Sequence, residues 1–245
     1  MDRIIRITLC IFIVLFAPFA GVLTYTAYTE SAYRNTLSGT YTYACTITTD
    51  APLYNVTLFI PVPVDRNGNS PIAARFSNHT MNGVPGDWET TLFDTGKSTL
   101  LKVETPAIIP PDGTTVSRPY MITVSSETTS RSPIDTRNPA EISIMFRPVQ
   151  SLRENPCPHA PAGGSTRCFS YTTSVYAEYQ ASAGTSVTLT SAVTGKNTWK
   201  ILEPGSNEYR TEISTGIRGE NHGWAGAVGL LSSGTGSYEG PAGAG

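Results

Sequence analysis

Residues 7–29, ITLCIFIVLFAPFAGVLTYTAYT, contain no charged side chain. As a helix this run would be about 34 Å long, enough to cross a hydrocarbon core of about 30 Å. Arg3 and Arg6 precede it, and Glu30 is the first charge after it. The positive-inside tendency then keeps residues 1–6 in the cytoplasm and sends everything beyond residue 30 outside. Tyr25, Tyr28 and Tyr33 fall where an interfacial aromatic belt is expected, and Pro18 is tolerable in a membrane helix. The rival reading is a cleaved signal peptide and a secreted protein. Cutting after Ala20 would put Pro18 at the −3 position, where a small residue belongs, and the apolar run exceeds the usual signal core. A retained signal anchor is therefore favoured, giving a single-pass cell-membrane protein with its C-terminal domain extracytoplasmic.

The exported part reads as β. Only 15% of the residues are charged and the net charge is −2, so no basic field invites nucleic acid. Thr- and Tyr-rich alternating stretches suit pleated surfaces. Strands are expected over 40–48, 53–64, 72–77, 88–94, 98–104, 116–125, 141–147, 169–180, 185–193, 197–202, 208–217 and 223–231. This predicts a mainly β protein: an extracytoplasmic β-sandwich of about 10–12 short strands, preceded by one N-terminal transmembrane helix. The expected layout is a cytoplasmic N-terminus over 1–6, a transmembrane helix over 7–29, a linker over 30–38, a sandwich over 39–231 and a flexible tail over 232–245. A division into two subdomains would put the boundary near 126–167. One elaborated sandwich is preferred, because 141–147 itself reads as a strand.

The stretch DTGKSTLLKVETP (94–106) ends a phosphate-binding loop only superficially. Such a loop needs a glycine five residues before its Gly-Lys pair, where Thr91 stands, and it must open a helix. Here a strand pattern follows. The related VTGKNTWKILEP (193–204) has Thr190 at that position. Both are read as hairpin turns, with no nucleotide bound.

Cys157 and Cys168 bracket a Pro- and Gly-rich loop, and outside the cell they are expected to form a disulfide. A metal site with His159 lacks further ligands nearby. Cys45 sits in a strand pattern and is read as a buried thiol. Asn55 and Asn78 open Asn-x-Thr sequons and are glycosylation candidates, Asn55 the less accessible. Asp65, Asn67 and Asn69 have the spacing of half a calcium loop. Ser70 stands where that loop needs Gly and Phe76 where it needs Glu, so a turn around Gly68 is preferred. Trp88, Trp199 and Trp224 are read as core fillers rather than sugar platforms. The glycine-rich 218–231 carries the best candidate functional loop, Glu220, Asn221, His222 and Trp224.

No compact catalytic motif occurs, histidines are scattered and no local acid pair stands out, so no cofactor is expected. The first expectation is a non-catalytic binding or structural module at the cell envelope, with an envelope protein or a glycan as partner. A hydrolase acting on envelope polymers is the alternative, marked by a cleft holding two carboxylates or by His222 beside an acid. An accessory subunit of a surface filament or membrane complex is another, marked by an exposed apolar sheet edge or face.

Overall fold

The computed structural model describes residues 2–95, 98–138, 144–157 and 166–238. It opens with a helix, α1 (Asp2–Thr36), which runs through Pro18. Ile7–Thr36 is long and apolar enough to cross a membrane by length and composition. Thr24, Thr26 and Thr29 turn their hydroxyls back onto carbonyls of the preceding turn, at 2.9–3.0 Å, so the helix satisfies its own polar groups. The expected linker over 30–38 is mostly a continuation of this helix.

The β elements follow as β1 (Ser38–Thr49), β2 (Leu53–Pro61), β3 (Pro63–Val64), β4 (Glu89–Asp94), β5 (Thr99–Ile108), β6 (Tyr120–Ser130), β7 (Met145–Phe146), β8 (Gln150–Asn155), β9 (Arg167–Gln180), β10 (Ser186–Lys200), β11 (Pro204–Arg218) and β12 (Asn221–Gly236). All pairings are antiparallel. The fold is thus mainly β, as expected, but hydrogen bonding does not divide it into two stacked sheets. One sheet runs β4-β5-β2-β9-β12-β11-β10-β1-β6, with β8 on the remaining edge of β9, and β3 and β7 form a small separate ladder.

This sheet is curled, and chain length shows why it must be. Asn82 bonds to the outer edge of β6 through Ser125, with N–O distances of 2.8 and 2.9 Å. Seven residues later the chain enters β4, at the opposite edge. Those seven residues reach at most about 25 Å. Nine flat strand spacings would need about 43 Å. The inward residues of both halves accordingly form one core, from Val124 and Tyr43 through Ile213, Leu231 and Val175 to Leu58 and Val103.

Three glycines in the long strands each lie directly opposite an aromatic residue. Gly195 pairs with Tyr209, Gly205 with Trp199 and Gly229 with Tyr171. In each case a Cβ on the glycine would overlap the ring, so the ring covers the bare backbone. This overturns the second hairpin reading. The TGKN of residues 194–197 is not a turn but the middle of β10, with Gly195 flat beneath Tyr209. The first reading holds at its flanks: Asp94 pairs with Thr99, and Thr95 N–H donates to the Ser98 carbonyl at 3.0 Å.

Other local expectations also give way. Residues 72–77 were expected as a strand but contain the short helix α2 (Ala73–Ser77). Ile72 and Phe76, four residues apart, are both buried, and Phe76 meets Tyr43 edge-on at 5.4 Å. No strand was expected over 150–155, yet these residues form β8, and all six are exposed. Of the expected strand 141–147, only Met145 and Phe146 lie in a described strand. Residues 239–245 of the expected tail lie outside the described residues, whereas β12 extends to Gly236 and Tyr238 bonds to Thr136 at 2.7 Å.

Candidate functional site

Strand β12 alternates like any sheet strand, but both of its faces are apolar. Inward lie Ala227, Gly229 and Leu231, all buried. Outward lie Trp224, Val228 and Leu230, exposed by 62%, 57% and 58%. The strand is central, hydrogen-bonded to β9 and β11, so nothing in the fold requires the outward set to be apolar.

Register then builds a row of rings on this outer face. Trp224 pairs with Tyr176 of β9, Tyr176 with Phe59 of β2, and Phe59 with Lys102 of β5. The centroids are 5.5 Å apart from Trp224 to Tyr176, 5.5 Å from Tyr176 to Phe59, and 5.6 Å from Phe59 to Phe93 of β4. The planes meet at 69–78°, the edge-to-face geometry that the ring quadrupole favours. Lys102 Nζ lies 5.9 Å from the Phe59 centroid and 2.7 Å from Glu104. At the other end Glu178 joins the row to His222. Tyr176 donates its hydroxyl to Glu178 at 2.7 Å, and His222 Nδ1 lies 3.7 Å from the other carboxylate oxygen. The hydrogen bond to Glu178 pushes the Tyr176 phenol above its ordinary value, with burial and the Glu178 charge adding to it.

The candidate loop therefore divides. His222 and Trp224 belong to the ring row. Asn221 is structural: its amide donates to the Ala177 carbonyl and to the Gly223 carbonyl at 3.1 Å. Glu220 sits in the β11–β12 turn, beside Gly219 with φ 72°. Among the tryptophans, Trp88 and Trp199 are buried as expected and Trp224 is not. Tyr176, Phe59, Phe93, Lys102 and Glu178 were not identified from sequence. The one available signal was apolar residues occupying both phases of the strands over 169–180 and 223–231.

Elsewhere, the Asp65 carboxylate closes its own turn. It accepts the N–H groups of Asn67 and Asn69 at 2.8 Å and the Asn69 side-chain amide at 3.2 Å. Gly68 supplies φ 85° there. Cys157 and Cys168 form the expected disulfide, while His159 lies outside the described residues. Cys45 is buried, and burial raises its thiol pKa. Asn55 and Asn78 are both exposed; Asn55 has φ 52° and lies where the register of β2 on β9 shifts. A cleft of about 490 Å³ is lined by Asp87, Glu89, Glu104 and Thr105, with Glu89 directly opposite Glu104. Comparison of the chain with known protein families, curated proteins and solved structures finds no match.

Proposed function

We propose that the protein is a single-pass, membrane-tethered module whose β domain lies outside the cytoplasm and docks another envelope protein through the outer face of β12 and β9. The row Trp224–Tyr176–Phe59–Phe93, exposed at Trp224 and Phe93, half-buried at Tyr176 and Phe59 and extended along β12 by exposed Val228 and Leu230, carries this reading. Apolar patches of this kind mark interaction surfaces, and Trp and Tyr dominate their energetics. Aliphatic Val228 and Leu230 favour a protein over a glycan, which would stack on rings alone. The module is read as non-catalytic, an accessory subunit of an envelope assembly. The disulfide supports an oxidising compartment. The continuation of α1 to Thr36, where it meets the β domain, supports a retained anchor over a secreted product.

The test is alkaline extraction of native membranes with external protease treatment and native-gel sizing. The chain is expected to stay in the membrane pellet, to be cut only beyond residue 37, and to migrate in a complex that Trp224→Ala dissolves. Release by alkali as a product lacking the apolar segment would replace the tether with secretion.

A second reading as a hydrolase rests on the Asp87, Glu89 and Glu104 cleft and on His222 beside Glu178. It predicts polymer cleavage that Glu104→Gln abolishes without unfolding the protein. Unchanged turnover in that variant would remove it.

A further inference from the structure

At the end of the sheet where α1 arrives, a cavity of about 870 Å³ lies between the helix and a strap, residues 131–138, that follows β6. The helix is fastened here. The Thr36 hydroxyl bonds to the Lys200 carbonyl and accepts the Lys200 N–H, both at 2.9 Å. Tyr33 meets Trp199 edge-on at 5.7 Å, and Leu37 is buried. The strap is fastened too. Asn197 accepts the Ile134 N–H at 2.8 Å and donates to the Ile134 carbonyl at 2.7 Å. Its amide also donates to Asn207 at 2.9 Å, and Thr136 joins Asn207 at 3.0 Å. Gly39 leaves room for the strap, since a Cβ there would be 2.5 Å from the Ser132 carbonyl oxygen.

This network holds the strap's backbone and spends none of its cationic side chains. Among the described residues, three guanidiniums line the cavity, Arg34, Arg131 and Arg137, against two carboxylates, Glu30 and Asp135. Arg34 is paired with Glu30 at 2.6 Å. Asp135 accepts the backbone N–H groups of Arg137 and Asn138 at 3.0 Å. Among the described residues, neither the Arg131 nor the Arg137 guanidinium donates a hydrogen bond or joins an ion pair. Arg137 is held in place by the Tyr238 ring, 4.3 Å from its centroid. The described lining therefore carries one positive charge in excess.

Its depth is set by the helix. Glu30, Tyr33 and Arg34 stand within about 8 Å of Thr29, the last position of the uncharged run. A headgroup layer is about 5–7 Å deep on each side of a bilayer. We propose that this cavity binds a phosphodiester, that of an anionic lipid headgroup in the outer leaflet, with Arg131 and Arg137 as its donors. Guanidiniums suit this role because their forked donors match two phosphate oxygens. One negative charge on the ligand balances the excess. The lipid source of the phosphate rests on the tether proposed above; the anion site itself does not.

The test reconstitutes the full chain in nanodiscs of phosphatidylcholine with phosphatidylglycerol and reads retained lipid by native mass spectrometry. In parallel, glycerol phosphate is titrated into detergent-solubilised protein by calorimetry. Wild type is expected to retain phosphatidylglycerol in excess of the bulk ratio. R131Q/R137Q should weaken that binding roughly thirtyfold, about fivefold for each arginine. The single variants R131Q and R137Q give the fivefold steps if the double variant does not fold, and Arg210→Gln, on the outer face of β11, should change nothing. Glycerol phosphate binding with no lipid preference in nanodiscs would overturn the lipid source and leave a site for a free phosphate compound. Equal lipid retention in wild type and variants, with no glycerol phosphate bound, would overturn the site. A chain that fails to insert would count against the tether, and the titration alone would then decide the cavity.

Discussion

The two faces of β12 are equally apolar and differently used. Inward, Ala227 and Leu231 join the core and Gly229 lies under Tyr171, whose hydroxyl meets Thr211 at 2.8 Å. Outward, Trp224, Val228 and Leu230 face solvent beside Tyr176 and Ser214. The inward residues are fixed by packing to within a methyl group. Of the outward ones, Trp224 meets Tyr176 edge-on, yet all three stay more than half exposed. A surface that stays apolar without a folding reason points to a second molecule.

Two glycines on this one strand give the sharpest contrast. Gly229→Val should destabilise the fold by about 3 kcal/mol or more, because its Cβ would overlap the buried Tyr171 ring. Thermal melting should fall by roughly 6–12 °C. Gly226→Val, three residues earlier, meets nothing within 4 Å and should leave the melt unchanged or raise it slightly. Equal effects at the two positions would erase the distinction between the faces. Replacing Cys157 and Cys168 with Ser should cost about 2–3 kcal/mol by denaturant unfolding, since their bond closes a separation of 11 residues. Pairing of β8 with β9 and the Arg167–Glu154 contact at 2.8 Å should keep the loss to that range.

Trp224→Ala comes next. It should cost about 1 kcal/mol of stability, the value of one edge-to-face pair, yet weaken partner binding by roughly thirtyfold. A large stability loss without a binding loss would make Trp224 a core residue in disguise. Val228→Thr with Leu230→Thr should move stability by no more than about 0.5 kcal/mol. Smallest of all, Cys45 should resist alkylation in the native protein and react only on unfolding, because burial keeps its thiol protonated and covered.

The sequence was readable where a signal is local and unopposed. The uncharged run of 7–29 dictates its own helix. Cys157 and Cys168 are close in the chain, and pairing them follows from spacing and compartment. Strand alternation over 40–48 was plain because Tyr43, Cys45 and Ile47 all turn inward. Gly195 was misread because the signal that decides it comes from Tyr209, on a neighbouring strand. The related TGKS at 95–98 is bracketed instead by the Asp94–Thr99 pair and the Thr95–Ser98 hydrogen bond. Strand β8 escaped because its six residues carry no alternation; its order comes from β9. The site followed the same rule. Glycine spacing drew attention to Trp224, but Tyr176, Phe59 and Phe93 join it only through the register of four other pairings. The curl of the sheet was also invisible, since it depends on where Asn82 bonds.

The central claim is that the outer face of β12 is covered in the native envelope. A photoreactive phenylalanine analogue placed at Val228, with a control at exposed Asn67, tests it on intact cells. Position 228 is expected to give one discrete protein adduct that is lost with Trp224→Ala, and position 67 none. A folded protein that gives no adduct at 228, or the same adducts at both positions, would contradict it.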